Sequence, residues 1–153
     1  GRVVIYHPGL NQSMEAIEEM LVNPTVEMGL ADSGAHVGQI MEASSPTWLL
    51  SFWVRERGVL SLEEAIRGWT SDTANLFGIK ERGILKEGAY ADVNVIDLDN
   101  LAIDLPEYKH DFPGGAGRYV QTGRGYDYVL VNGQVFMESG EHSGALSGQM
   151  LRS

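Results

Sequence analysis

The chain has 153 residues and is 43% hydrophobic, which suits one domain, or a small domain plus a piece of another, and excludes a disordered tract. Its 21 acids against 11 Lys and Arg leave a formal charge of −10, with no basic stripe, so neither nucleic acid nor an anionic membrane is an expected partner. No apolar run reaches the roughly 18 residues of a membrane-spanning helix.

Zero cysteines exclude disulfides and thiolate metal sites and fit a reducing, cytoplasmic setting. The four histidines, His7, His36, His110 and His142, form neither His-x-His nor His-Glu-x-x-His, so a three-histidine metal site is not expected within this stretch. The opening Gly1-Arg2-Val3-Val4-Ile5 has no initiator Met and no signal-peptide layout, reads as though entered mid-strand, and suggests a longer parent protein.

In chain order, Arg2 to Tyr6 is a short β-branched run stopped by His7-Pro8-Gly9. Ser13 to Val22 carries Met14, Ile17 and Leu21 at helical spacing, with Glu15, Glu18 and Glu19 outside, and Asn23-Pro24 ends that helix. Thr25 to Leu30 is read as the next strand. The result is a strand–helix–strand unit, whose crossover places His7 and Asp32 at the carboxyl ends of neighbouring parallel strands.

Ser45-Pro46 reads as an N-cap with proline at the first helical position, opening a thick apolar helix (Leu49, Leu50, Phe52, Trp53, Val54) that Gly58 closes. Ser61-Leu62-Glu63-Glu64 is a capping box for a helix through Trp69, and Thr70 to Phe77 is a third helix stopped by Gly78. From Gly83 the texture becomes β. Ala91 to Asp97 is a strand, and Tyr126–Val131, Asn132-Gly133, Gln134–Phe136 is a hairpin with a type I′ turn. A boundary near residue 80 divides an α/β part, 1–80, from a small β part, 81–153. Gly114-Gly115-Ala116-Gly117-Arg118 has no helix start behind it to aim amides at an anion and reads as a surface loop, with His110 and His142 as surface histidines.

The chemistry concentrates at Gly29 to Gly38. An apolar approach (Val26, Met28, Leu30) ends in Asp32, followed by Ser33, Gly34 and His36. A buried parallel strand that delivers a carboxylate to the mouth of an α/β barrel has this pattern, and Asp-Ser-Gly is also plain turn chemistry.

Leu30-Ala31-Asp32-Ser33-Gly34-Ala35-His36-Val37 resembles the last barrel strand of amidohydrolase-superfamily enzymes, nearest the N-acyl-D-amino-acid deacylase (D-aminoacylase-like) branch. Thr70 to Ile79 running on through Arg82 to Asp97, and Val131-Asn132-Gly133 with Gly140-Glu141-His142-Ser143-Gly144, carry the same resemblance in order. It covers essentially the whole chain but only the carboxyl-terminal part of the family's enzyme. It implies the last two strands and helices of a TIM (β/α)8 barrel plus part of a small β-sandwich domain.

The resemblance further implies zinc-dependent hydrolysis of a C–N amide bond, with N-acyl-D-amino acids as the implied substrates and zinc bound mainly by residues not in this chain. Asp32 matches the family's general acid/base and can also touch the metal. His36, Ser33 and His7 are substrate-binding candidates, with a loop histidine's structural hydrogen bond as the alternative for His36 and a structural role as that for His7. Asp32-Ser33-Gly34 inverts the Ser-Asp-Gly order of the better-known D-aminoacylases. The implied partners are an acylated amino acid or amide, the remainder of the polypeptide, and a second copy in a homo-oligomer. The rival readings are a cyclic-amide hydrolase of hydantoinase or dihydroorotase type and a metal-free amidohydrolase-like scaffold. The isolated stretch is expected to be inactive.

Overall fold

A computed structural model describes residues 12–34 and 42–151. Four α-helices precede residue 77 and eight short strands follow residue 92, a mixed α/β architecture among the described residues.

Helix α1 (Met14–Leu21) starts at Ser13, whose side chain accepts the Ala16 amide, and ends at Val22 just before Asn23-Pro24. Ile17 and Leu21 pack against the core, whereas Met14, expected on the same stripe, is left exposed. Helix α2 (Ser45–Trp48) follows a 3₁₀ turn, Glu42–Ser44, and continues as a wide π-helical stretch, Leu49–Glu56. Its N-cap position is Ser44 rather than Ser45, and the Ser44 hydroxyl does not cap. It donates to Gln121 Oε1 at 3.0 Å, so a long-range bond has outcompeted the local one. Gly58 closes the helix in the left-handed region, with its amide and that of Val59 returning to Val54 and Trp53.

The expected second and third helices are one continuous element. Helix α3 (Leu62–Arg67) runs through a π-helical stretch, Gly68–Asp72, into α4 (Thr73–Leu76) without a break. The capping box forms as expected: Ser61 Oγ accepts the Glu64 amide and Glu64 Oε2 accepts the Ser61 amide. The Thr70 and Thr73 hydroxyls donate back to the carbonyls of Ile66 and Gly68, competition for acceptors that favours a widened turn over a helix stop.

All described strand pairs are antiparallel. Strands β1 (Val93–Ile96), β6 (Tyr126–Val131), β7 (Gln134–Glu138) and β8 (Glu141–His142) form one sheet in the order β1-β6-β7-β8. Strands β2 (Ala102–Ile103) and β5 (Gly123–Arg124) pair separately, as do β3 (Glu107–Lys109) and β4 (Arg118–Val120). The β6–β7 connection is the expected Asn-Gly turn, with φ of 51° at Asn132 and 78° at Gly133, the positive angles a type I′ turn needs. The glycine-rich loop joins β3 to β4. His110 Nδ1 lies 2.9 Å from the Gly115 carbonyl, and Arg118 grips Asp111 with paired bonds, so the loop's own residues fill its neck.

The core is Leu49, Leu50, Trp53, Ala65 and Leu101, with Ile17, Leu21, Met28, Trp69, Ile96, Leu98 and Tyr126 packed around it. Helices and sheet therefore share one apolar cluster. Arg55 fastens the two by donating to the carbonyls of Leu98, Asp99 and Leu101, at 2.7, 3.1 and 2.8 Å. Among the described residues no helix is long and apolar enough to cross a membrane.

Candidate active site

The approach to Asp32 begins in a turn. Asn23 Oδ1 accepts both the Thr25 amide (2.9 Å) and the Thr25 hydroxyl (2.8 Å), and the Val26 amide donates to the Asn23 carbonyl. The chain then runs out to Asp32. The expected strand Thr25–Leu30 does not form: among the described residues it makes no ladder bonds, and Leu30 is 93% exposed. The reason is physical. A strand exists only by pairing, and every described strand pairs within residues 93–142, leaving none beside this segment.

The segment is instead docked on the α3–α4 helix. The Thr73 hydroxyl shares its one proton between the Gly68 carbonyl at 2.8 Å and the Met28 carbonyl at 3.1 Å, while the Met28 thioether lies over Gly68, where an added Cβ would sit 3.2 Å from its Sδ and Cε. Asp32 and Ser33 follow in an exposed turn, with Gly34 at φ 88°. The Asp32 carboxylate is therefore open to solvent. His7 and His36 lie outside the described residues, so Asp32 and Ser33 are the two candidates that the structure brings together. Among the described residues no three His, Cys, Asp or Glu side chains could hold a metal ion. The described donor set therefore does not fit zinc by itself.

The other signature residues converge away from Asp32. Arg82 ion-pairs with Asp92, donates to Asn132 Oδ1 at 3.2 Å, and stacks its guanidinium 4.1 Å over the Tyr90 ring. Asp92 Oδ1 accepts the Asn132 amide at 2.9 Å, and the Asn132 side chain donates to the Ser147 carbonyl. Gly83 has φ 74° and passes against the helix, where a Cβ would approach the Thr70 carbonyl to 2.8 Å. These bonds seam the helix end to the β6–β7 turn, a structural junction that the sequence pattern marked without revealing its purpose. Thr73, which stands inside the Thr70–Ile79 signature, and Gly68 contact the approach segment, and the sequence pattern did not reveal those contacts.

The family model described as the amidohydrolase family matches residues 2–137. The chain belongs to the amidohydrolase family. It lies in the D-aminoacylase-like branch. It is 35% identical over 106 residues to the N-acyl-D-aspartate deacylase of Alcaligenes xylosoxydans xylosoxydans, covering 69% of this chain and 19% of that protein. It is 39% identical over 87 residues to the N-acyl-D-glutamate deacylase of the same organism, covering 57% and 16%. Among solved structures, the N-acyl-D-glutamate deacylase of Bordetella bronchiseptica, complexed with zinc and a phosphonate inhibitor, superposes with a TM-score of 0.55 at 34% identity, over 70% of this chain and 20% of that one. The chain thus spans about a fifth of the length of the curated relatives it matches.

Proposed function

We propose that this chain is part of a metal-dependent hydrolase that deacylates N-acyl-D-amino acids, with Asp32 as its general acid/base. The observation that carries the reading is an exposed aspartate held at the end of a segment docked on the α3–α4 helix, in a chain of the amidohydrolase family. The names of the deacylase relatives support the substrate class.

In the proposed step the Asp32 carboxylate takes a proton from the attacking water as its oxygen bonds to the amide carbonyl carbon. The same carboxyl then gives that proton to the leaving nitrogen as the C–N bond breaks, releasing a carboxylate and a free D-amino acid. Ser33, beside it in the turn, and His36 and His7 are the proposed substrate contacts. Residues 1–80 would belong to the carboxyl-terminal part of a (β/α)8 barrel and 81–153 to its flanking β domain. The zinc named for the Bordetella enzyme is the proposed cofactor, with donors outside the described residues.

The test is hydrolysis of N-acetyl-D-glutamate, its L enantiomer and a cyclic amide by the full-length, zinc-loaded protein and its D32N variant. The expected result is turnover of the D substrate and a loss of at least about 10²-fold in kcat in D32N, the lower range for a positioned acid/base. An unchanged rate in D32N would remove Asp32 from the mechanism, and turnover of the cyclic amide alone would replace the substrate class.

A further inference from the structure

We infer that Thr73 is a positioning residue for Asp32, working with Gly68 as a two-point socket that fixes where the Asp32 segment leaves the helix. The inference rests on the proposed role of Asp32. Between the Asn23–Val26 turn and Asp32 the segment makes no ladder bond among the described residues, and two other contacts hold it to the helix. One hold is the bond from the Thr73 hydroxyl to the Met28 carbonyl, four residues ahead of Asp32. The other is the Met28 side chain, which packs against the core and occupies the space that a side chain at position 68 would fill.

Both holds come from the π-helical stretch Gly68–Asp72 and its boundary. The Thr73 hydroxyl lies within 2.8 Å of the Gly68 carbonyl and 3.1 Å of the Met28 carbonyl, so one side chain ties the helix turn and the approach segment together. A widened turn at such a place is a common mark of function, because it re-aims side chains that a regular helix would point elsewhere. A carboxylate that must meet a water and a leaving nitrogen in succession is sensitive to such placement, and a displacement of about 1 Å can cost 10²-fold in rate.

The experiment compares T73V, which keeps the shape and loses the donor, with T73S, which keeps the donor, in the full-length, zinc-loaded protein. N-acetyl-D-glutamate hydrolysis and hydrogen exchange of the Gly29–Gly34 amides are both measured. The expected result for T73V is a fall in kcat of about tenfold with KM changed less than about twofold, and faster exchange across Gly29–Gly34. T73S is expected to restore both. If T73V keeps the parental kcat and exchange, or if T73S falls as far as T73V, the inference is overturned.

Should T73V fail to fold, G68L carries the test. It displaces the Met28 thioether and leaves the hydroxyl in place, and a parental kcat in G68L overturns the socket. If the parent hydrolyses no acylated D-amino acid, the deacylase reading fails by itself. The exchange measurement still decides whether Thr73 docks the segment.

Discussion

Arg82 is the residue on which the seam between helix and sheet depends. Its side chain is 15% exposed and joins Asp92, Asn132 and the Tyr90 ring in one cluster. Removing the guanidinium leaves the Asp92 carboxylate and the Asn132 carbonyl facing each other's neighbours without a cation. Loss of one partner of a buried pair is strongly destabilising, but Asp92 keeps 32% of its side chain in water, which screens the effect. R82M should therefore cost about 2 kcal/mol, read as a Tm about 4–8 °C lower in thermal unfolding. It should leave the KM for substrate unchanged, because no described contact links Arg82 to Asp32. A Tm within about 1 °C of the parent, less than a 1 kcal/mol loss gives a chain of this size, would show that the cluster is incidental.

The capping box at Ser61 and Glu64 makes a prediction with a pH signature. The Ser61 hydroxyl, and after it the Ser61 amide, hold the Glu64 carboxyl below its ordinary value of 4.5. A depressed folded value means that the contribution is present above that ordinary value and is lost as pH falls through and below it. S61A should lower stability at neutral pH by about 1 kcal/mol, the usual loss for a serine N-cap. The gap to the parent should narrow between about pH 5 and pH 3 without closing, since Ser61 Oγ also accepts the Glu64 amide at any pH. Urea unfolding across that range reads both effects, and a gap that widens on acidification would contradict the assignment. This box and the Asn132-Gly133 hairpin were legible in the sequence because each is decided within about four residues. The Thr25–Leu30 strand was not, because pairing is set by chain far away, and neither was the Thr73–Met28 bond, which spans 45 residues. At Asp32 the residue type and the turn were readable, whereas what holds them was not.

Taken together, the described elements bury little. The buried apolar side chains among them are Leu49, Leu50, Trp53, Ala65, Ala74 and Leu101, while Leu30, Leu105 and Leu146 are 93%, 87% and 89% exposed. Phe77 and Leu85, flanking the seam, are also open to water. Single exposed leucines are ordinary, but several large apolar groups beside so small a core signal surface that another protein mass normally covers. Burying such groups is worth roughly 1.5–3 kcal/mol each, comparable to the whole net stability of a small domain when several are covered at once. The 153-residue chain alone should therefore self-associate. With no metal-binding cluster among the described residues, the 153-residue chain by itself should not hydrolyse N-acetyl-D-glutamate even with zinc added. Sedimentation velocity over a hundredfold range of concentration (about 2.8 kcal/mol on the association scale) reads the first expectation, as a mass rising above 16.7 kDa. A chain that stays monomeric throughout and turns over substrate when zinc is supplied would contradict both, and would mean that these residues hold a complete metal site among themselves.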